Sequence, residues 1–423
     1  MNATNNESPY IAIAPTFARR ISFFLLVPLV YLAEVRVAAA LTFAVDFSPG
    51  VVASPKGPGM MAGVAAAAGT WTGIFGDGIS VSVHVELDSE ALDVDLGPSP
   101  FTFGAALNKF EEHSYMSVKS ALAFDAKSPP DILAAGTLQP GPFLEALTHD
   151  TSISAATLGA GVPSPEIRIG ALASSTTGAK ATAKWNSILK VSRANSKALG
   201  LPVTVDGAYD IRLVLNDESV PVFDVIRGDG IGAGMFDFQA IATHEIGHGM
   251  GFVSGVDDVD YSGVGGSPPA PAPDNPLDLS DDAIFSVLDL FRTNLDTRPP
   301  LIPLGQPATG KVLDWRFGPP AGPFSKPFFT LDPIAIDPAF KTPFSTGAES
   351  GDGKQASHWA DAPIGIMRPD LDPMLIVDVT MDDELAFNVI GWDLVPEPSS
   401  GILIASAVAG ASLMRRRISR RRR

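Results

Sequence analysis

The sequence contains no cysteine. Disulfide bonds, thiolate nucleophiles and zinc sites with cysteine ligands are therefore excluded. The chain also lacks a G-x-S-x-G nucleophile motif and a phosphate-binding P-loop, which removes the common serine-hydrolase and nucleotide-binding arrangements. Charged residues are scarce, at 18% of 423 residues, whereas hydrophobic residues make up 45%. That balance predicts a packed core rather than a disordered chain.

Basic residues are few in the body of the chain. Of the 30 Lys and Arg residues, the seven Arg beyond residue 414 and three more before residue 37 lie at the two ends. Residues 41–396 consequently carry a net charge of about −24. Such a body repels nucleic acid, so no nucleic-acid partner is expected. Its carboxylates make structural Ca²⁺ a candidate cofactor, although the chain contains no Asp-x-Asp-x-Asp-Gly loop.

The N-terminal end carries an export signal. Residues 21–33 form an apolar run that follows two arginines, and three alanines come next at 38–40. This order of charged, apolar and small residues is typical of a secretory signal peptide, which we expect to occupy residues 1–40. The apolar run is too short to favour a transmembrane helix. The sequence therefore predicts an exported protein.

The C-terminal end carries a second signal. The sequence VPEP at 395–398 precedes an apolar stretch at 401–414 and an arginine-rich tail at 415–423. A short apolar stretch followed by dense arginine is a stop-transfer signal that keeps the tail on the cytoplasmic side. Residues 395–423 resemble the PEP-CTERM sorting segment of bacterial surface proteins. The resemblance implies processing by an exosortase-type enzyme, a location at the bacterial cell surface or in the extracellular matrix, and membrane attachment through this segment alone.

Hydrophobic periodicity predicts an α+β fold. Residues 79–88 and 209–216 alternate in the manner of strands that face a core. Helical patterns occur at 58–75, 115–124, 184–199, 237–252 and 281–292. This order favours a first lobe with a mixed twisted sheet and an active-site helix. Proline-rich sequence at 295–350 predicts an irregular second lobe.

The motif HEIGH at residues 244–248 carries the chemistry. On a helix, residues four apart share one face, so the imidazoles of His244 and His248 can bind one ion. Zinc accepts imidazole nitrogens readily. Glu245 lies slightly off that face, where it can hold a zinc-activated water and take its proton as general base. The pattern predicts one catalytic Zn²⁺.

A catalytic zinc ion needs a third protein ligand, whose identity decides the class of enzyme. Ser254 stands where the HExxHxxGxxH motif has its third histidine, and serine is a poor zinc ligand. No glutamate occurs between residues 246 and 348, which excludes a glutamate ligand on a following helix. Two choices remain. One is His358, the only histidine after His248. The alternative third ligand is a nearby aspartate, with Asp257 as the first choice beside Asp258 and Asp260.

Three short segments follow one another in the second half of the chain. They read HEIGHGMGF at 244–252, SHW at 357–359 and IMRP at 366–369. In this order they resemble the leishmanolysin-like branch of the zincin metallopeptidases, and the resemblance covers residues 236–393. It implies a zincin-like fold, His358 as third zinc ligand and Met367 as the hydrophobic base beneath the metal in a Met-turn. Because no tyrosine follows that turn, Tyr261 is a candidate oxyanion stabiliser.

These features predict an exported zinc-dependent metalloendopeptidase that acts on polypeptide substrates. The alternative is a non-catalytic surface or extracellular-matrix protein with a zincin-like fold, which the sorting segment fits equally well. The predicted parts of the chain are a signal peptide (1–40), an N-terminal catalytic lobe (41–261), a Gly/Pro-rich loop (262–276), a C-terminal lobe with the third ligand and the Met-turn (277–394) and the sorting segment (395–423).

Overall fold

A computed structural model describes most of the predicted catalytic body. All the described residues belong to one unit of the chain, Ala38–Arg423. Some residues inside helices and strands are described by their backbone alone, Tyr261 among them. The described ranges are 40–96, 102–144, 146–149, 166–169, 187–263, 285–293, 313–314, 327–331, 342–348, 351–360 and 365–395.

The predicted signal peptide up to residue 39, the Gly/Pro-rich loop from residue 264 and the sorting segment from residue 396 lie outside these ranges. These assignments, with the predicted lobe boundaries, stay predictions. Within the described ranges, no helix combines the length and the apolar character that crossing a membrane requires.

The fold is of the α+β type, with several small sheets. Its strands are β1 (Thr42–Phe47), β2 (Ser80–Leu87), β3 (Gly104–Asn108), β4 (Phe110–Ser114), β5 (Ala146–His149), β6 (Glu166–Ile169), β7 (Ile188–Ser192), β8 (Ile211–Leu215), β9 (Phe223–Asp224), β10 (Phe236–Asp237), β11 (Arg292–Thr293), β12 (Leu313–Asp314), β13 (Phe328–Phe329) and β14 (Thr342–Pro343). Its α-helices are α1 (Pro49–Ala53), α2 (Gly57–Ile74), α3 (Ser89–Leu96), α4 (Tyr115–Asp125), α5 (Pro129–Gly136), α6 (Arg193–Ala198), α7 (Phe238–Gly249), α8 (Gly255–Gly263) and α9 (Met381–Val389).

The sheet next to the helix that carries the HEIGH motif has four strands in the order β1-β2-β8-β3. The first three are parallel, and β3 pairs antiparallel with β8 so that Ala106 lies opposite Leu213. Val81, Val83 and Val85 of β2 are fully buried, and the residues between them are partly exposed. This alternation is the period-two pattern of a strand with one face on a core, and it confirms the strand predicted at 79–88.

Helix α2 packs against α7, and α7 in turn packs against β3 and β8. One face of α2 is buried at helical spacing, including Met60, Val64, Ala67 and Trp71. The indole Nε1 of Trp71 donates a hydrogen bond of 3.1 Å to the backbone carbonyl of Thr243 in α7. Trp71 therefore fixes the helix that carries the HEIGH motif against the core.

The helix predicted over 184–199 is wrong in its first part. Residues 188–192 form β7, which pairs antiparallel with β4, and only Arg193–Ala198 are helical. Leu189 and Val191 are buried on one side of this strand. Their spacing of two fits a strand, and pairing with a segment about 80 residues earlier outweighs the local helix propensity.

The helix predicted over 281–292 is also wrong where the structure describes it. Leu288–Phe291 form one turn of 3₁₀ helix, and Arg292 and Thr293 belong to strand β11. The guanidinium of Arg292 is buried and donates to the backbone carbonyls of Asp314, Ala356 and Ser345 at 3.0, 3.3 and 2.8 Å. These bonds tie three separate loop and strand segments together, a constraint that helix periodicity does not reveal.

We expect Trp71→Ala to lower the free energy of unfolding by about 3–5 kcal/mol, because it leaves a large cavity between α2 and α7. Ala65→Gln, at an exposed position of the same helix, should change it by less than about 0.5 kcal/mol. Chemical denaturation of the purified protein measures both values. Equal stability of the two variants would show that Trp71 does not anchor α7.

Candidate metal centre

Helix α7 begins at an aspartate cap and ends at a glycine turn. The carboxylate of Asp237 accepts a hydrogen bond of 3.2 Å from the N–H of Ala240, which satisfies one free donor of the first turn. Arg227 Nε lies 2.9 Å from the same buried carboxylate. At the other end Gly251 has φ +114°, a conformation that favours glycine. Between these two ends the helix carries His244 and His248 four residues apart, with His248 in its last turn.

Three histidine side chains converge at this helix. The Nε2 atom of His248 lies 3.0 Å from that of His244 and 3.1 Å from that of His358, and the third pair is 3.2 Å apart. His248 and His358 are buried, and His244 is partly buried. Among the described residues, no other group of three or more His, Asp or Glu side chains lies close enough together to hold a metal ion.

The second nitrogen of each ring contacts a backbone carbonyl. Nδ1 of His244 lies 2.7 Å from the oxygen of Ile366, that of His248 lies 2.7 Å from Phe252 O, and that of His358 lies 3.2 Å from Gln355 O. A carbonyl oxygen only accepts, so Nδ1 carries the proton in all three rings. Each Nε2 therefore presents a lone pair, which is the tautomer that a metal-binding histidine needs.

Burial keeps the three rings neutral. Enclosure by the protein lowers the pKa of His244 to about 4 and that of His248 to about 3, and it lowers the pKa of His358 well below its usual value. Three neutral rings whose lone pairs face one another repel unless a cation lies between them. A tetrahedral ion bound at about 2.0–2.1 Å separates its nitrogen ligands by about 3.3 Å, close to the spacing found here. The three histidines are thus close enough to bind a metal ion, and their chemistry fits one.

Glu245 lies beside this cluster. Its carboxyl is almost fully buried, and burial raises its pKa to about 8, although a hydrogen bond from the backbone of Ala106 opposes the shift. Ala106 belongs to β3, the outer strand of the four-stranded sheet. This contact therefore joins Glu245, the neighbour of His244 in the motif, to the outer strand of the sheet.

Met367 packs directly beneath the motif. It is fully buried, and a side chain added at Gly247 would come within 2.6 Å of its sulfur. The carboxylate of Asp383 accepts hydrogen bonds from the N–H groups of Ile366 (2.8 Å) and Met367 (3.3 Å) and from Trp359 Nε1 (2.8 Å). The predicted Met-turn is thus held against α7 by one buried carboxylate at the start of α9.

Asp257, the alternative third ligand, does not lie with the two motif histidines. Its two carboxylate oxygens accept hydrogen bonds from the backbone N–H groups of Ala356 and Ser357 and from Ser357 Oγ. It does not belong to the cluster of possible metal ligands. Burial raises its pKa to about 7. The carboxylate holds the loop that carries His358 instead of facing the histidines.

The candidate oxyanion stabiliser Tyr261 lies in α8. Its side chain is outside the described part of the structure, so this role stays a prediction. Sequence reasoning missed that Asp383 and Asp257 hold loops remote in the chain. The spacing of Thr380 and Asp383 indicates a helix start. The sequence carries no signal that the carboxylate of Asp383 or of Asp257 accepts hydrogen bonds from such a loop.

A cleft of about 690 Å³ gives access to the centre. Its walls include the three histidines and Glu245, residues 102–107 around β3, and the loop after Met367.

No protein-family model matches the chain, and neither a curated protein nor a solved structure gives a significant match. The case for function therefore depends on the geometry of this centre.

We expect His358→Ala to lose most of the bound metal, because two ligands on one helix hold an ion far less firmly than three. Metal analysis after zinc loading and dialysis gives the stoichiometry. His84→Ala, which alters a histidine paired with Asp46 on the outer face of the sheet, should keep full occupancy. Full occupancy in His358→Ala would exclude His358 as a ligand.

Asp257→Asn should weaken metal binding by about 10- to 100-fold, because an amide cannot accept all the hydrogen bonds that orient the His358 loop. Competition with a chelator measures the affinity. Asp258→Asn is the matched control, since that neighbour pairs with Lys190 at 2.9 Å at the surface of the cleft. An unchanged affinity in Asp257→Asn would mean that the loop holds its position without this carboxylate.

Proposed function

We propose that this protein is a zinc-dependent metalloendopeptidase with a zincin-like fold of the leishmanolysin-like type. The observation that carries the proposal is the convergence of three Nε2 lone pairs on the wall of a cleft of about 690 Å³ that Glu245 also lines. Retention of an acid at this position favours catalysis, because a purely structural metal site needs no base between its ligands.

Zinc is the metal that this donor set favours. His244, His248 and His358 would hold the ion through three neutral imidazole nitrogens, and no fourth protein ligand lies close to them among the described residues. Three protein ligands and an open position are typical of catalytic zinc sites, whereas structural sites are closed by four. When bound, zinc supplies Lewis acidity, which polarises a carbonyl group and increases the acidity of water.

Glu245 is the residue that moves the proton. Burial raises the pKa of its carboxyl to about 8, and a cation held by the neighbouring imidazoles opposes that shift. The carboxylate is then poised near neutral pH to take a proton from the attacking water and to return it to the leaving amine. The hydrogen bond from Ala106 orients the carboxyl for this task.

Strand β3 favours a polypeptide as the substrate. On the β8 side, the carbonyl of Phe103 accepts from the N–H of Asn216, and the N–H of Lys109 donates to the carbonyl of Asp210. In an antiparallel strand the direction of these bonds alternates from residue to residue. Gly104 and Ala106 therefore direct their backbone groups to the opposite side, where Glu245 lies. An extended peptide can add to such an edge as a further strand, which aligns its amide groups with the centre.

The ends of the chain support an extracellular setting for this activity. We propose export by the signal at residues 1–40, processing by an exosortase-type enzyme at the segment 395–423, and action at the bacterial cell surface or in the extracellular matrix. Polypeptides of that compartment would be the substrates.

Glu245→Gln should reduce cleavage of protein or peptide substrates by at least about 100-fold, while zinc content stays the same. Chelation should abolish the wild-type activity, and added zinc should restore it. Glu90→Gln, at an exposed site on α3, is the matched control. Cleavage that survives both Glu245→Gln and chelation would refute the proposal. A tightly bound metal without cleavage of any polypeptide would favour the non-catalytic alternative.

A further inference from the structure

Arg368 follows the Met-turn and lies on the wall of the cleft. The two residues before it are fixed to the metal centre. Ile366 accepts the Nδ1 proton of His244, and the carbonyl of Met367 accepts a hydrogen bond of 3.0 Å from the N–H of Trp359. The backbone that carries Arg368 therefore has a defined position relative to the histidines.

The guanidinium of Arg368 is buried but poorly paired. Only 9% of the residue is exposed. Among the described residues its single hydrogen-bond or ion-pair partner is Asp372, with Nη2 at 3.2 Å from Oδ2. The side chain of Asp372 is 68% exposed, and ion pairs with exposed carboxylates contribute little. None of the Arg368 nitrogens is both sealed from solvent and unbonded, so the free donors face the water of the cleft.

Two other buried arginines show what full pairing looks like in this protein. Arg193 donates from all three nitrogens to the carboxylates of Glu111 and Asp206. Arg292 likewise donates from all three nitrogens, to backbone carbonyls. Burying a charge is expensive unless it is hydrogen-bonded. Arg368 thus differs from these two structural arginines, because it keeps donors that a ligand can use.

The two other cations on the described cleft wall also have one carboxylate partner each, but they lie at more exposed positions. Lys190 pairs with Asp258, and Lys354 pairs with Asp370. Both lysines are also more exposed than Arg368, at 33% and 40% of their side chains. Within the described cleft, Arg368 is therefore the cation that combines burial with donors left unpaired.

We propose that Arg368 is a specificity-determining residue that binds a carboxylate of the polypeptide substrate close to the cleaved bond. The inference rests on the proposed peptidase function. A planar guanidinium binds a carboxylate through two parallel hydrogen bonds, and Asp372 releases its single bond to solvent in exchange. The carboxylate comes from an acidic side chain or from the free C terminus of the peptide. Because the body of the protein is strongly acidic, a substrate carboxylate is repelled elsewhere and held at this position.

The test uses fluorogenic peptides that differ only by Glu or Gln at one position, scanned on both sides of the cleaved bond. Each is made with a free and with an amidated C terminus, which separates the two sources of the carboxylate. At one position, or for the free terminus, we expect wild-type kcat/KM to be about 10- to 100-fold higher for the carboxylate form. Arg368→Gln should abolish this ratio, and Arg368→Lys should retain part of it.

Lys354→Gln is the matched control, and it should keep the full ratio because Lys354 is already paired. A binding assay adds a second readout. Fluorescence anisotropy with the Glu245→Gln protein should show tighter binding of the carboxylate peptide, and the further change Arg368→Gln should remove that difference. Zinc content of each variant confirms that the site has folded.

Two results would overturn the inference while the peptidase function stands. One is equal cleavage of the Glu, Gln, free and amidated peptides by the wild type, and the other is a preference that survives Arg368→Gln. Absence of cleavage of every peptide would contradict the peptidase function instead. In that case a carboxylate-dependent difference in binding that Arg368→Gln removes still supports the role of Arg368, and its absence overturns that role.

Discussion

The arrangement of this protein depends on three hydrogen bonds between imidazole Nδ1 atoms and backbone carbonyls. They fix the rings of His244, His248 and His358 in one tautomer and direct their Nε2 lone pairs to a common point. The carbonyls belong to three different loops, so the centre forms only when those loops meet. Without a cation, the converging lone pairs are an unfavourable contact that the rest of the fold must sustain. A metal ion bound between the three rings would therefore add stability to the same packing that builds the site.

Buried carboxylates hold many of the loops in place in the irregular second half of the chain. Asp257 holds the loop of His358, and Asp383 holds the predicted Met-turn. Asp289 accepts hydrogen bonds from Ser254 Oγ (2.6 Å) and from the N–H of Gly255 (2.8 Å), in the segment after the helix that carries the HEIGH motif. Burial raises the pKa of all three. Short strands provide few ladder hydrogen bonds there, so carboxylate acceptors satisfy backbone N–H groups in their place.

Two neighbouring residues of the predicted Met-turn segment join the candidate metal centre to the proposed binding position of the substrate carboxylate. Met367 packs under Gly247, and the next residue, Arg368, lines the cleft. Catalysis and selectivity would thus share one rigid backbone, with Glu245 and the edge of β3 opposite. A peptide that adds to β3 would have its amide groups aligned by the strand, and one of its carboxylates would be positioned by Arg368.

Local features were readable from the sequence. The spacing of His244, Glu245 and His248 predicted their common helix, because the period of an α-helix is independent of the rest of the fold. The α+β class followed from alternation in strands such as 79–88. Segment 188–192 was misread as helix, since its strand conformation comes from pairing with residues 110–114, which no local pattern reports.

From the sequence, the third metal ligand stood open between His358 and a nearby aspartate, and only a resemblance favoured His358. The tertiary structure brings its Nε2 to within 3.2 Å of the motif histidines and gives Asp257 a different task, as the acceptor for the loop beside it. The sequence by itself determined the motif helix and the acidic body, and it predicted the signals at the two ends. Only the tertiary structure decided which distant side chains face the helix and which cation in the cleft is buried with a single carboxylate partner. Contacts between residues about 110 positions apart depend on loop packing and buried hydrogen bonds, which spacing along the chain does not encode.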